Sequence, residues 1–331
     1  MILAGDIGGT HARLALFDVS GNQYVPVSLT VFPSSQYPSL DAIAAKYVEA
    51  NQIHPEAACF GIAGPVVNGR VETTNLPWKV ESQSLAAELR IPKAILINDL
   101  EANAWGIPAL AAKDLILLNQ VAPPADGNQA VISAGTGLGE AGIYWDGSSH
   151  HVFACEGGHS DFAPRNDLEV ELFSYLRKQF GRVSYERLLS GPGLVSIFNF
   201  LRDSGRGTEP EWLREQIKTS DAAAAISRAA TSVTGEKCPL AEQALDVFIA
   251  IYGAEAGNLA LKLLAIGGVF VGGGIAPKIL PKLLNSSAFL QAFVAKGRMQ
   301  PLMEKIPVKV IVNDETALLG AARYAATNRT E

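Results

Sequence analysis

Apolar and polar positions alternate in a pattern that appears twice along this chain. A short apolar entry runs into Gly5-Asp6-Ile7-Gly8-Gly9-Thr10, after which Leu14 and Leu16 alternate with Arg13 and Ala15. Period-two alternation predicts a strand beyond the turn, so the glycines sit at a strand–turn–strand corner. Residues 130–145 repeat the arrangement, with apolar β-formers on both sides of Gly135-Thr136-Gly137. The first corner has the spacing of neither a Rossmann nor a Walker loop, both of which lead from a strand into a helix. Two such corners, each near the start of a half-chain, read as an internal duplication. Successive N–H groups in a glycine turn form a concave cradle for phosphate oxygens. Two cradles facing one another would grip the phosphates of one nucleotide from both sides.

Between and after the corners, strand and helix periodicities interchange. Tyr24 to Phe32 reads as a third strand. Leu40, Ile43, Ala44, Tyr47 and Val48 then recur at helical spacing, with Ser39 or Asp41 positioned to cap. Ala57 to Ile62 and Ala94 to Ile97 are apolar strands, with a helix near Ser84 to Arg90 between them. Strands alternating with helices predict parallel pairing in an α/β sheet. Glu101 to Ala112 reads as helical around Pro108, Leu115 to Leu118 as a strand, and 122–128 as a turn-rich linker. In the second half, helices are expected near Leu168 to Phe180, Ser184 to Leu189, Gly193 to Leu201 and Asp221 to Ala230. The longest is expected over Leu240 to Ala265. A strand at Gly268 to Val271 runs into Gly272-Gly273-Gly274 and a helix near Pro277 to Leu284. Val308 to Val312 and a helix from Thr316 to Ala326 close the chain.

Composition narrows the partners. The 331 residues are long for one core, so two domains are expected. Thirty-three acidic against 27 basic residues leave a net charge of −6 with no basic block, which argues against nucleic acid or a membrane as partner. Cys59, Cys155 and Cys238 are far apart and form no Cys-x-x-Cys pair, so neither zinc nor a disulfide framework is expected. No basic-then-apolar leader opens the sequence, and a cytoplasmic protein is expected.

Six further side-chain positions could carry chemistry. Asp6 ends the first strand, either capping the turn or serving as the carboxylate beside a Mg²⁺ ion, acting through water. Asp99 ends a parallel strand, where ligands of open α/β sheets bind. It could accept the proton of an alcohol during phosphoryl transfer, or cap the following helix, and the two roles are compatible. Asn98 beside it offers a donor and an acceptor, which suits a polyol. Glu156 and His159, in Glu-Gly-Gly-His, bring a carboxylate and an imidazole to one loop. Glu186 could join them or merely favour a helix start. The triplet Gly272 to Gly274 could admit a flat base to the backbone or make a tight β–α turn.

With these residues assembled, the chain resembles the bacterial-type glucokinase family of the actin-like sugar kinase superfamily, over nearly its whole length. The markers are Gly5 to Thr10, Ile97-Asn98-Asp99, Ala134 to Gly139, Glu156 to His159, Glu186 to Gly193 and Gly272 to Ile275. The resemblance implies an α/β, actin-like ATPase (ribonuclease H-like) fold with a cleft that closes on sugar. It implies a small domain of residues 1–110 plus 314–331 and a large one of 111–313. The implied reaction is ATP-dependent phosphorylation of D-glucose at its 6-hydroxyl, with Asp99 as general base and Mg²⁺ with the nucleotide. Asn98, Asp99, Glu156, His159 and Glu186 would bind the sugar. Gly5, Asp6, Ile7, Gly8, Gly9 and Thr10, with Thr136 and Gly137, would hold phosphates, and Gly272, Gly273 and Gly274 would flank adenosine. A homodimer is also implied. His11 and Glu140 depart from the family pattern beside the two phosphate turns, and are expected to tune nucleotide affinity. The competing expectations are a hexose kinase of broader specificity and an actin-like ATPase that phosphorylates no sugar. The repressor-type relatives are disfavoured, because neither a helix-turn-helix nor a cysteine-rich motif is present.

Overall fold

The computed structural model describes residues 1–21, 23–73, 76–122, 126–232 and 235–328. The linker expected at 122–128 falls partly on 123–125, outside the described residues. The chain divides into two compact units: Met1–Asp114, Val152–Ala154 and Asn313–Glu331 form one, Leu115–His151 and Cys155–Val312 the other.

The first unit is built on strands β1 (Ile2–Ile7), β2 (His11–Ser20), β3 (Gln23–Pro33) and β4 (Ala57–Ile62). A two-stranded ribbon, β5 (Arg70–Glu72) with β6 (Lys79–Glu81), precedes the strand β7 (Ala94–Asn98). The main sheet has the order β3-β2-β1-β4-β7, with β1 antiparallel to β2 and parallel to β4, and β4 parallel to β7. Each face of this sheet is covered, so its central strands are apolar on both sides. Leu3 and Ile7 face Ile43, Tyr47 and Leu85, from helices Leu40–Asn51 and Ser82–Leu89. Ile2 and Ala4 face Leu318, Ala321 and Ala325 of helix Thr316–Thr327. The parallel register puts the carboxyl ends of β1, β4 and β7 along one edge: Ile7 pairs with Ile62, and Ile62 with Asn98.

The second unit carries β8 (Leu115–Leu117), β9 (Gln129–Ala134), β10 (Leu138–Trp145), β11 (His150–Cys155), β12 (Gly268–Gly272) and β13 (Val308–Ile311). Their order is β11-β10-β9-β12-β13-β8, with β9 antiparallel to β10 and parallel to β12, and β12 parallel to β13. Setting aside β8 at the edge, both sheets read 3-2-1-4-5 in order of appearance. The duplication expected from the two glycine corners is therefore a duplication of sheet topology. Helix Pro239–Leu263 is long and apolar enough to cross a membrane, but 72% of its most apolar window is buried, as in the core helix of a globular unit. Leu245, Phe248, Ile249, Tyr252 and Leu259 all lie in that core.

Several expected elements change length for local reasons. Helix Asp99–Gly106 stops before Pro108, which lacks an N–H and belongs to a tight turn at Ile107–Ala109. The helix expected at Ser184 to Leu189 is one tight turn, Tyr185–Arg187, because Ser190 caps a new helix, Gly191–Asp203. The helix expected from Pro277 starts at Leu280, with Pro281 in its first turn. Helices Glu211–Thr219 and Ala288–Val294 were not expected.

Candidate active site

In the first unit, the turn between β1 and β2 is closed by the Gly8 amide, which donates to His11 O at 2.9 Å. Ser34 braces it, donating from its hydroxyl to Gly8 O and from its amide to Thr10 O. Among the described residues, the amides of Gly9 and Thr10 donate to no protein acceptor, the condition for a phosphate cradle. Asp6 pairs across the hairpin with Arg13, whose guanidinium donates to Asp314 O at 2.9 Å. Burial pushes the Asp6 carboxyl up, the Arg13 charge opposes this, and Asp314 adds to the rise. No group of three or more His, Cys, Asp or Glu side chains stands ready to hold a metal among the described residues. A single carboxylate such as Asp6 at the end of β1 fits Mg²⁺, which keeps most of its water and shares its remaining positions with phosphates. His11 lies beside this cluster and lines a shallow pocket with Arg13, Asp314 and Glu315.

Asn98 and Asp99 stand at the end of β7. Sequence reasoning gave Asp99 a possible capping role, but the cap is Asn98: its Oδ1 accepts from Leu100 N at 2.9 Å and Glu101 N at 3.3 Å. Its Nδ2 donates to Gly64 O at 3.2 Å, so only one side-chain N–H remains for a ligand. Asp99 opens the helix as its first residue, and its Oδ1 accepts from Leu100 N at 2.9 Å. The parallel register sets this residue on the same sheet edge as the Gly8 turn.

In the second unit, the turn after β9 follows the same plan. Gly135 N donates to Gly137 O at 2.8 Å, and the amides of Thr136 and Gly137 meet no protein acceptor among the described residues. Glu156, His159 and Glu186 are brought together: His159 Nε2 is 4.0 Å from Glu156 Oε2, and its Nδ1 is 3.8 Å from Glu186 Oε1. Glu186 also accepts from Leu138 N at 3.1 Å, tying this trio to the base of the Gly135–Gly137 turn. Arg182 fixes the imidazole-bearing loop, donating to His159 O and to Asp161 Oδ1 at 2.7 Å. The strand β12 ends beside β9, Gly272 pairing with Ser133. Gly273 has φ +82°, and a side chain there would collide with Ala134 O. The triplet is thus a tight turn pressed onto the strand that leads to the second glycine corner.

The description of the family model that matches residues 3–328 is glucokinase. The chain belongs to the glucokinase family. It is 45% identical to the glucokinase of a Nostoc species, over 98% of this chain and 99% of that one. A solved glucokinase from an Antarctic psychrotroph matches with a TM-score of 0.80 at 31% identity, covering 99% of each chain. A ROK family glucokinase from Streptomyces griseus, in complex with glucose and AMPPNP, shares the fold at a TM-score of 0.68 and 21% identity, covering 99% of each. The fold is that of the actin-like ATPases.

Sequence reasoning missed one feature of this glucokinase family member that the duplication makes legible. Asn313-Asp314 comes just after β13 as Asn98-Asp99 comes at the end of β7, and Asn313 Oδ1 accepts from Glu315 N at 2.8 Å. The repeated Asn-Asp after an apolar strand was visible in the sequence. Its contact with Arg13 was not, since the two lie 301 residues apart.

Proposed function

We propose that this chain transfers the γ-phosphoryl group of ATP to the 6-hydroxyl of D-glucose, releasing ADP and glucose 6-phosphate. The observation that carries the reading is the joining of the Glu156, His159 and Glu186 side chains to the second phosphate turn through Glu186 and Leu138 N. A sugar hydroxyl reader and a phosphate holder are thereby parts of one rigid piece. Asp99 is the general base: it accepts the O6 proton as that oxygen attacks the γ-phosphorus and the bond to the β,γ-bridging oxygen breaks. Glu156, His159, Glu186, Asn98 and Asp99 bind sugar hydroxyls, the carboxylates accepting and the Asn98 amide donating. The amides at Gly9, Thr10, Thr136 and Gly137, which meet no acceptor among the described residues, take phosphate oxygens. The Gly272–Gly274 turn flanks adenosine. Mg²⁺ on the Asp6 side, through water, would neutralise phosphate charge when bound. The protein is cytoplasmic and a homodimer in this reading, the latter open to sedimentation equilibrium.

The test is a coupled assay of ADP release with ATP and Mg²⁺, against glucose, mannose, fructose, N-acetylglucosamine and no sugar. The expected result is release that depends strongly on glucose. Comparable rates with several hexoses would make this a broader hexose kinase. Release without sugar would make it an actin-like ATPase.

A further inference from the structure

Glu140, expected from the sequence to act on the nucleotide, points elsewhere. It lies on β10, 1% exposed, and its carboxylate fills the space where Gly157 of the Glu-Gly-Gly-His turn would otherwise carry a Cβ. Its Oε1 is buried and meets no donor among the described residues. The group across from it is Glu255, 0% exposed, on the long helix Pro239–Leu263. Two carboxylates facing each other bond only when a proton lies between them. Glu255 is otherwise held by donors: Asn258 Nδ2 at 2.8 Å and Lys262 Nζ at 3.4 Å. Asn258 Nδ2 also donates to the Tyr185 hydroxyl at 3.0 Å, and Tyr185 is the residue before Glu186.

We propose that Glu140 is a positioning residue for glucose, its carboxyl hydrogen-bonded to Glu255 and its body seating the Glu156–His159 turn. Through Glu255, Asn258 and Tyr185 the same network holds the turn that carries Glu186. One buried chain of hydrogen bonds thus sets the mutual placement of the three sugar-reading side chains. The inference rests on the glucokinase reading of that trio.

The groups facing Glu140 decide how it behaves with pH. They are Glu255 and Lys262 on the long helix, Tyr252 on the same helix, and Cys155, whose thiol donates to Glu140 O at 3.4 Å. One step further out, Glu156 acts on Cys155, Glu255 and Arg165 act on Tyr185, and Arg165, Glu255 and Lys262 act on Lys296. Burial first, then the Glu255 charge, push Glu140 up to about 8 from an ordinary 4.5, against the pull of Lys262. The folded chain therefore keeps a proton that the unfolded chain has lost. The stability so contributed is full below about pH 4.5 and is lost as pH rises through about 8. Lys296, pushed down to about 8 by burial and by Arg165, loses its charge over the same range, so the two must be separated by substitution.

Glucose KM, ATP KM and kcat would be measured from pH 6.5 to 9.5 for the parent protein, Glu140→Gln and Glu140→Ala. In the parent, glucose KM should rise about tenfold between pH 7 and 9, as one ionisation near pH 8 allows. Glu140→Gln keeps the hydrogen bond to Glu255 without the ionisation. It should show parent-like glucose KM at pH 7 and no alkaline rise. Glu140→Ala should raise glucose KM roughly tenfold at every pH, with ATP KM near that of the parent. An alkaline rise retained in Glu140→Gln, or an unchanged glucose KM in Glu140→Ala, would overturn the proposal. A parent protein without glucose-dependent ADP release would instead remove the kinase reading on which it rests.

Discussion

At the scale of single residues, the end of β7 shows how one polar pair divides its work. Asn98 spends its carbonyl oxygen on two amides of the following helix and one N–H on Gly64 O. Asp99 is thereby set as the first helical residue, its placement fixed by its neighbour's cap. Asp99→Ala removes the proposed base but not the cap. It should lower kcat by about 10²–10⁴ and leave ATP affinity within about twofold, read by steady-state kinetics and nucleotide titration. A near-parental kcat would remove Asp99 from the proton transfer. Glu186 is placed between two tasks, accepting from Leu138 N and standing beside His159. Glu186→Gln keeps an acceptor for the amide and loses the charge. Glucose KM should rise roughly tenfold, about 1.4 kcal/mol, while ATP KM changes little. Unchanged glucose affinity would leave Glu186 as a brace for the phosphate turn alone.

At the scale of elements, the long helix reaches the strand ends that carry the second phosphate corner and the glycine triplet. The Tyr252 hydroxyl accepts from Ala134 N at 3.1 Å and lies 3.3 Å from Ile132 O and 3.4 Å from Gly272 O. Tyr252→Phe would strand a buried amide next to Gly135. A loss of about 1–3 kcal/mol follows, measured by urea unfolding, together with weaker ATP binding. Loss of stability without loss of ATP affinity would show that the corner tolerates the unpaired amide. This helix was legible in the sequence because Leu245, Phe248, Ile249, Tyr252 and Leu259 repeat at helical spacing over many turns. The glycine corners were legible because alternation changes to Gly and Thr at the turn. The short helices Glu211–Thr219 and Ala288–Val294 were passed over, although Trp212, Leu213 and Ile217 had the right spacing. Few turns give periodicity little room to repeat, and tertiary packing supplies the rest. The role of Glu140 was not legible at all. Its partner Glu255 lies over a hundred residues away, and only folding reveals that the space beside Gly157 is filled by a carboxylate.

At the scale of the whole molecule, a repeated sheet gives each unit one glycine corner and one set of polar residues proposed to read the ligand. The first unit has the Gly8 turn with Asp99, the second the Thr136 turn with Glu156, His159 and Glu186. Each unit also has its own apolar core, so each has the means to unfold as a separate cooperative block. A ligand that takes hydrogen bonds from both units changes this, because neither block can then melt without releasing it. Differential scanning calorimetry of the ligand-free protein should therefore show two overlapping transitions. Glucose at about a hundred times its dissociation constant should stabilise the bound state by roughly 2.7 kcal/mol and draw the transitions together. ATP with Mg²⁺ should do the same, since the two corners are proposed to share one nucleotide. A glucose effect confined to one transition would mean that the sugar is read by one unit alone. Asp99 and Asn98 would then act on a substrate that Glu156, His159 and Glu186 hold without their help.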